Sequence, residues 1–241
     1  MKKFRAFTSV AVTFCDLLAI GTFSYGAVAW AQNTTAPIRG TSNAAYHILP
    51  GFDNPESAWD CSRIIRVAIN ATQVPSNDRD SVLVDLNATL NEISSRSPFT
   101  FVNVGPTSAI PTWRWLADAA TSDEGPDVVV FFGYAHQTDL MEVSSAGVGG
   151  AYRITGPDGD FHLRSGVVVI NLLQFFDSFQ SGSGYFSRQT LFTHELLHVL
   201  GLAHNERPDS VMTSRISDSY GRLGSGDIQG LAHQGRIGCG Y

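Results

Sequence analysis

Between residues 64 and 172 the apolar residues gather into short runs bounded by Gly, Pro, Asn and Asp. Ile64-Ile65-Arg66-Val67-Ala68-Ile69 is rich in β-branched residues and predicts a first strand. Thr100-Phe101-Val102-Asn103-Val104 predicts a second, Asp127 to Phe132 a third, the glycine-rich Gly147 to Ile154 a fourth and Gly166 to Leu172 a fifth. Two longer stretches have helical spacing instead. Asp78 to Ser94 carries Val82, Leu83, Leu86, Leu90 and Ile93, mostly three and four apart. Arg188 to Leu202 carries Leu191, Leu197, Val199 and Leu200, which can bury the back of a helix. Ser225 is a capping residue for a final helix containing Ile228, Leu231 and Ala232. The order strand, helix, several strands, helix, helix predicts an α+β fold with a mixed, twisted sheet and helices packed on it.

The N-terminus departs from that pattern. Lys2, Lys3 and Arg5 precede an apolar stretch from Ala6 to Trp30, and Ala29-Trp30-Ala31 is a small-x-small cleavage site. Residues 1–31 therefore read as a secretory signal peptide. The alternative is a retained anchor, but Asp16 in mid-segment is costly in a permanent span. Later apolar runs are too short to cross a bilayer, so no membrane span is expected after cleavage. Residues 32–58 lack periodicity and read as a linker or short pro-segment, leaving 59–241 as one domain.

With 241 residues the chain suffices for one sizeable core. The formal charge is −6, and loss of Lys2, Lys3, Arg5 and Asp16 with the signal makes it −8. An acidic chain without a basic patch argues against nucleic acid as a partner. Cys15 lies in the signal, so Cys61 and Cys239 remain for an exported chain. A disulfide is the preferred reading and two free thiols the alternative. Asn33, Asn70 and Asn87 each begin an Asn-x-Thr sequon, usable only in a host that glycosylates.

The chemistry concentrates at His194-Glu-Leu-Leu-His-Val-Leu-Gly-Leu-Ala-His204. His194 and His198 are four apart and share one face of a helix. Gly201 can end that helix in the left-handed conformation, letting the chain return His204 as a third ligand. Three neutral imidazoles with one open position are the ligand set of a catalytic zinc. Such a zinc lowers the pKa of bound water towards about 7. Glu195, beside the metal without being needed as a ligand, is placed as general base and acid.

At these residues the chain resembles the metzincin peptidases, whose pattern is His-Glu-x-x-His-x-x-Gly-x-x-His. Ser210-Val211-Met212 resembles the Met-turn under the metal in those enzymes, and Met212 would be its hydrophobic base and not a ligand. Asp127–Gly133 and Leu223–Leu231 resemble a strand and the C-terminal helix of the matrixin branch. The resemblance implies a zincin-like catalytic domain over 59–241 and a monomeric, secreted, extracellular zinc endopeptidase acting on protein or peptide substrates. It implies one catalytic Zn2+ held by His194, His198 and His204. A catalytically inert zincin used for binding or adhesion is the alternative, although such a protein is expected to lose the base that Glu195 supplies.

Departures limit what carries over. Matrixins place a structural zinc and calcium ions near the positions of His136, Asp139, Asp158, Asp160 and His162, but the spacing here is His-x-x-Asp and one His has no counterpart. Neither Ca2+ nor a second structural zinc is supported. His47 and His233 read as surface residues. Asn205 replaces the usual Ser after the third His, and Thr213-Ser214 replaces Tyr-Pro after the Met. A cysteine switch of Pro-Arg-Cys-Gly type is absent.

Overall fold

The computed structural model describes residues 12–13, 27–31, 44–53, 56–156, 159–175, 187–215 and 222–240. The stretch read as a signal lies outside the described residues except at Val12–Thr13 and Ala27–Ala31, and Asn33 and Asp158 lie outside them too. The strands are β1 (Val12–Thr13), β2 (Ala27–Ala31), β3 (Ala58–Trp59), β4 (Ile64–Asn70), β5 (Thr100–Pro106), β6 (Val128–Gly133), β7 (Gly147–Thr155) and β8 (Phe161–Asn171). The main helices are α1 (Ser76–Arg96), α2 (Trp113–Ala120), α3 (Arg188–Val199) and α4 (Ser225–Cys239).

One eight-stranded sheet runs in the order β1-β2-β7-β8-β6-β4-β5, with β3 paired to β8. The centre, β5-β4-β6-β8, is parallel, and β7 joins β8 antiparallel. Ala27–Ala31 in turn lies antiparallel on the outer edge of β7, with Ala31 opposite Gly149. Period-two geometry sorts the central strands into two cores. Val128, Val130, Phe132, Val168 and Ile170 face the side covered by α1, α3 and α4. Val129, Phe131, Val167 and Val169 face the side of Leu116 and Ala120 on α2. A parallel strand covered on both faces reads as a continuous apolar run, and all six residues of β6 are buried.

The α+β expectation holds, with local differences. Helix α2 was not anticipated. It is only eight residues long, and Thr112 accepts the Trp115 N–H at its start. Strand β8 begins at Phe161, five residues earlier than its apolar run, because its polar arm pairs with the end of β7. The motif helix stops at Val199, not Leu202, and the cap of α4 is Gly224, not Ser225. Residues 44–53 pack into the domain, with Leu49 and Phe52 buried in the main core.

Candidate active site

Helix α3 is built to be inflexible. Ser187 Oγ accepts the Thr190 N–H at its N-cap, at 3.1 Å. From Thr190 to Val199 every residue is buried. At the other end Leu202 N–H donates to Leu197 O and Gly201 N–H to His198 O, both at 3.0 Å. That pair of bonds is a Schellman motif, and Gly201 supplies its left-handed residue at φ 95°. The Trp59 indole N–H takes the Val199 carbonyl at 2.8 Å, so this end of the helix leaves few orphan acceptors.

The reversal at Gly201 brings three imidazoles together. The Nε2 atoms lie 3.1 Å apart for His194 and His198, 3.2 Å for His194 and His204, and 3.3 Å for His198 and His204. Tetrahedral zinc with Zn–N distances near 2.05 Å requires neighbouring nitrogens about 3.3 Å apart. The tautomers point the same way. His194 Nδ1 faces the Val211 carbonyl at 2.8 Å and His198 Nδ1 faces the Leu202 carbonyl at 2.6 Å. A carbonyl only accepts, so both Nδ1 atoms carry the proton and both Nε2 atoms present lone pairs to each other. Two facing lone pairs cannot hydrogen-bond, whereas a shared cation satisfies them. Burial first, then the neighbouring His204, lowers the His194 pKa to about 3. Burial likewise holds His198 well below its ordinary value and lowers His204 to about 4. Neutral rings are what metal binding needs. These three histidines form the one group of metal-ligating spacing among the described residues.

Glu195 is 4 % exposed, and its Oε2 is buried without a hydrogen-bond partner. Burial pushes its carboxyl pKa well up, opposed by the Gly149 N–H. Strand β7 reaches it only because it lacks side chains there. A Cβ at Gly147 would stand 2.7 Å from Glu195 Oε1, and one at Gly149 2.0 Å from the Glu195 carbonyl oxygen.

Asp227 on α4 was not singled out in the sequence. It is buried and accepts from Ser210 Oγ at 2.6 Å, Val211 N–H at 2.9 Å and Gly224 N–H at 2.8 Å. It thereby fixes the turn whose Val211 carbonyl orients His194, and Met212 follows, 1 % exposed. Among the described residues the other sequence candidates form no group of metal-ligating spacing. His136 is exposed and stacks on Tyr134, and Asp139 accepts the Trp113 N–H. His47 is half-buried, with its carbonyl taken by Ala203 N–H. His233 is half-buried and pairs with Glu56 at 3.2 Å. Cys61 and Cys239 are joined as a disulfide that ties the start of the domain to the end of α4. The sequon at Asn70 is occupied structurally, since that side chain is buried and donates to the Ala109 carbonyl.

A mixed sheet, a buried His-Glu-x-x-His helix, a glycine reversal to a third His and a buried Met after it define a metzincin-type metallopeptidase. The profile of the matrixin family, peptidase family M10, matches residues 63–234. The chain belongs to the matrixins and is a zinc metalloendopeptidase, a hydrolase acting on peptides or proteins. No curated protein matches the chain.

Proposed function

We propose that this chain hydrolyses peptide bonds with His194, His198 and His204 as the zinc ligands and Glu195 as general base and acid. The observation that carries the reading is the set of three Nε2 atoms 3.1–3.3 Å apart, beside the unpartnered Oε2 of Glu195. Zinc held there supplies Lewis acidity towards the scissile carbonyl and makes a neighbouring water acidic. Glu195 takes the proton of the attacking water and returns it to the departing amine. Burial holds the Glu195 carboxyl above its ordinary pKa, which strengthens it as a proton acceptor. Helix α3 fixes the distance between the carboxylate and two of the ligands. Gly147 and Gly149 let β7 pack directly against Glu195.

Export is part of the same proposal. Cleavage after Ala31 removes Ala27–Ala31 from the outer edge of β7. A freed sheet edge next to Glu195 is suited to an extended peptide adding as a strand. The disulfide fits an oxidising compartment, and no helix among the described residues is long and apolar enough to cross a membrane. An inert binding module is disfavoured by the retained Glu195. Proteome-wide identification of new peptide termini after incubation with the purified protein tests the reading. Cleavage that a zinc chelator abolishes supports it. A zinc-loaded protein that generates no new termini sinks it in favour of the binding module.

A further inference from the structure

Residues 44–53 precede the stretch matched by the family profile, and in sequence they look dispensable. In the fold they form a strap across the turn that carries the third histidine. Leu49 N–H donates to Gly201 O and Ala203 N–H to His47 O, both at 2.9 Å. Ile48 and Leu202 form an antiparallel bridge between the same two segments. Helix α4 is notched to seat the strap. A Cβ at Gly226 would stand 2.0 Å from the Ala45 carbonyl oxygen, and one at Gly230 3.0 Å from Tyr46 Cβ.

Asn205 closes the assembly. Its Nδ2 donates to the Ala45 carbonyl at 2.7 Å, and its backbone N–H donates to the Met212 carbonyl at 2.7 Å. Its Oδ1 accepts the Arg207 N–H at 3.1 Å. The residue directly after His204 therefore joins the strap to the turn that orients His194. This is the position where the chain departs from the usual Ser. Leu202, whose carbonyl orients His198, lies in the same strapped segment.

We propose that the Ala45–Leu49 strap, joined through Asn205, is a positioning element of the metal site. It holds residues 201–205 in the shape that lets His198 and His204 reach one ion. Residues 45–49 accordingly belong to the catalytic domain and not to a removable segment. Without the strap, binding the ion must itself order that turn, and the conformational entropy lost is charged against affinity. The proposal rests on the zinc reading above.

The test compares Asn205→Asp, Gly226→Ala, Val82→Ala and His204→Ala in the full chain. Asn205→Asp keeps the acceptor for Arg207 N–H and sets an oxygen against the Ala45 carbonyl. Gly226→Ala displaces the strap while touching no ligand. Val82→Ala empties part of the α1 core and serves as a control for general loss of stability. Zinc affinity is read by competition with a chromogenic chelator, and ligand geometry by the visible spectrum of the cobalt(II) form. Asn205→Asp and Gly226→Ala are expected to lower zinc affinity by about 10- to 100-fold, the range for loss of outer-shell support. Both should alter the cobalt spectrum, and Val82→Ala should lower the melting temperature while leaving affinity and spectrum unchanged. If Gly226→Ala instead raises the melting temperature, as the better helix former does in open space, and zinc is retained, the strap is not seated there and the proposal falls. Equal loss of zinc in Val82→Ala overturns it too. Should His204→Ala also keep full affinity, the ligand set itself is wrong. Loss of zinc in His204→Ala with none in Asn205→Asp or Gly226→Ala refutes the strap alone.

Discussion

Replacing Asp227 by Ala removes the acceptor for three donors: Ser210 Oγ and Val211 N–H at the turn before Met212, and Gly224 N–H at the cap of α4. The Ser210 hydroxyl can rotate, and Gly224 is half-buried, so water can reach it. Val211 is 1 % exposed, and its N–H is left without compensation. Counting that amide in full and the other two in part gives a loss of about 2–4 kcal/mol, a large share of a total stability of about 5–15 kcal/mol. Asp227→Asn is the informative companion. Its amide oxygen can keep the two N–H donors and its NH2 can donate to Ser210 Oγ, so the expected loss is below about 1 kcal/mol. Burial raises the Asp227 pKa, and its hydrogen bonds only partly oppose this. The folded chain then holds this proton more tightly than the unfolded one. Between the unfolded and the folded pKa, stability therefore falls as pH rises. Asp227→Asn should lack that part of the pH dependence. Urea unfolding across pH 4–8, with zinc content measured alongside, checks both variants. An Asp227→Ala protein as stable and as zinc-replete as Asp227→Asn would show that Asp227 does not hold the turn.

Three shorter predictions follow from separate parts of the molecule. Replacing both Cys61 and Cys239 by Ser should lower stability by up to about 5 kcal/mol, from the loop entropy of a 178-residue separation, read as a lower urea midpoint. Gly147→Ala puts a methyl group 2.7 Å from Glu195 Oε1; turnover should fall with zinc retained, and unchanged turnover would mean that β7 does not set the carboxylate. Expression in a glycosylating host should leave Asn70 unmodified, checked by glycopeptide mass spectrometry, because its side chain is buried against Ala109.

The grouping of His194, His198 and His204 was legible in the sequence because its geometry is local. Spacings of four and six residues, with a glycine between, determine where three rings can go once a helix and a reversal are granted. The main strands were legible for the same reason, and their ends less so. The support of the site was not legible, because it is made of contacts distant along the chain. Asp227 reaches Val211 across 16 residues, and Asn205 reaches Ala45 across 160. Nothing in Ala-Tyr-His-Ile-Leu at 45–49 marks it as a strap, since its bonds are made by backbone atoms common to every residue. Gly226 and Gly230 were the available signal. Two glycines four apart inside a helix cost helix propensity and point to something packed closely against that face. Strand β7 carried the same kind of signal in Gly147 and Gly149, read as part of a glycine-rich strand and not as close packing against Glu195.

The central claim is that Glu195 moves the proton while the three histidines hold the metal. Glu195→Ala measured for peptide turnover, zinc content and circular dichroism separates those roles in one experiment. The prediction is one zinc per chain, an unchanged spectrum and turnover reduced by at least about 10²- to 10⁴-fold, the range for loss of a general base. Turnover near that of the unaltered protein with zinc in place would contradict it, and loss of zinc together with turnover would make Glu195 a ligand or a determinant of the fold.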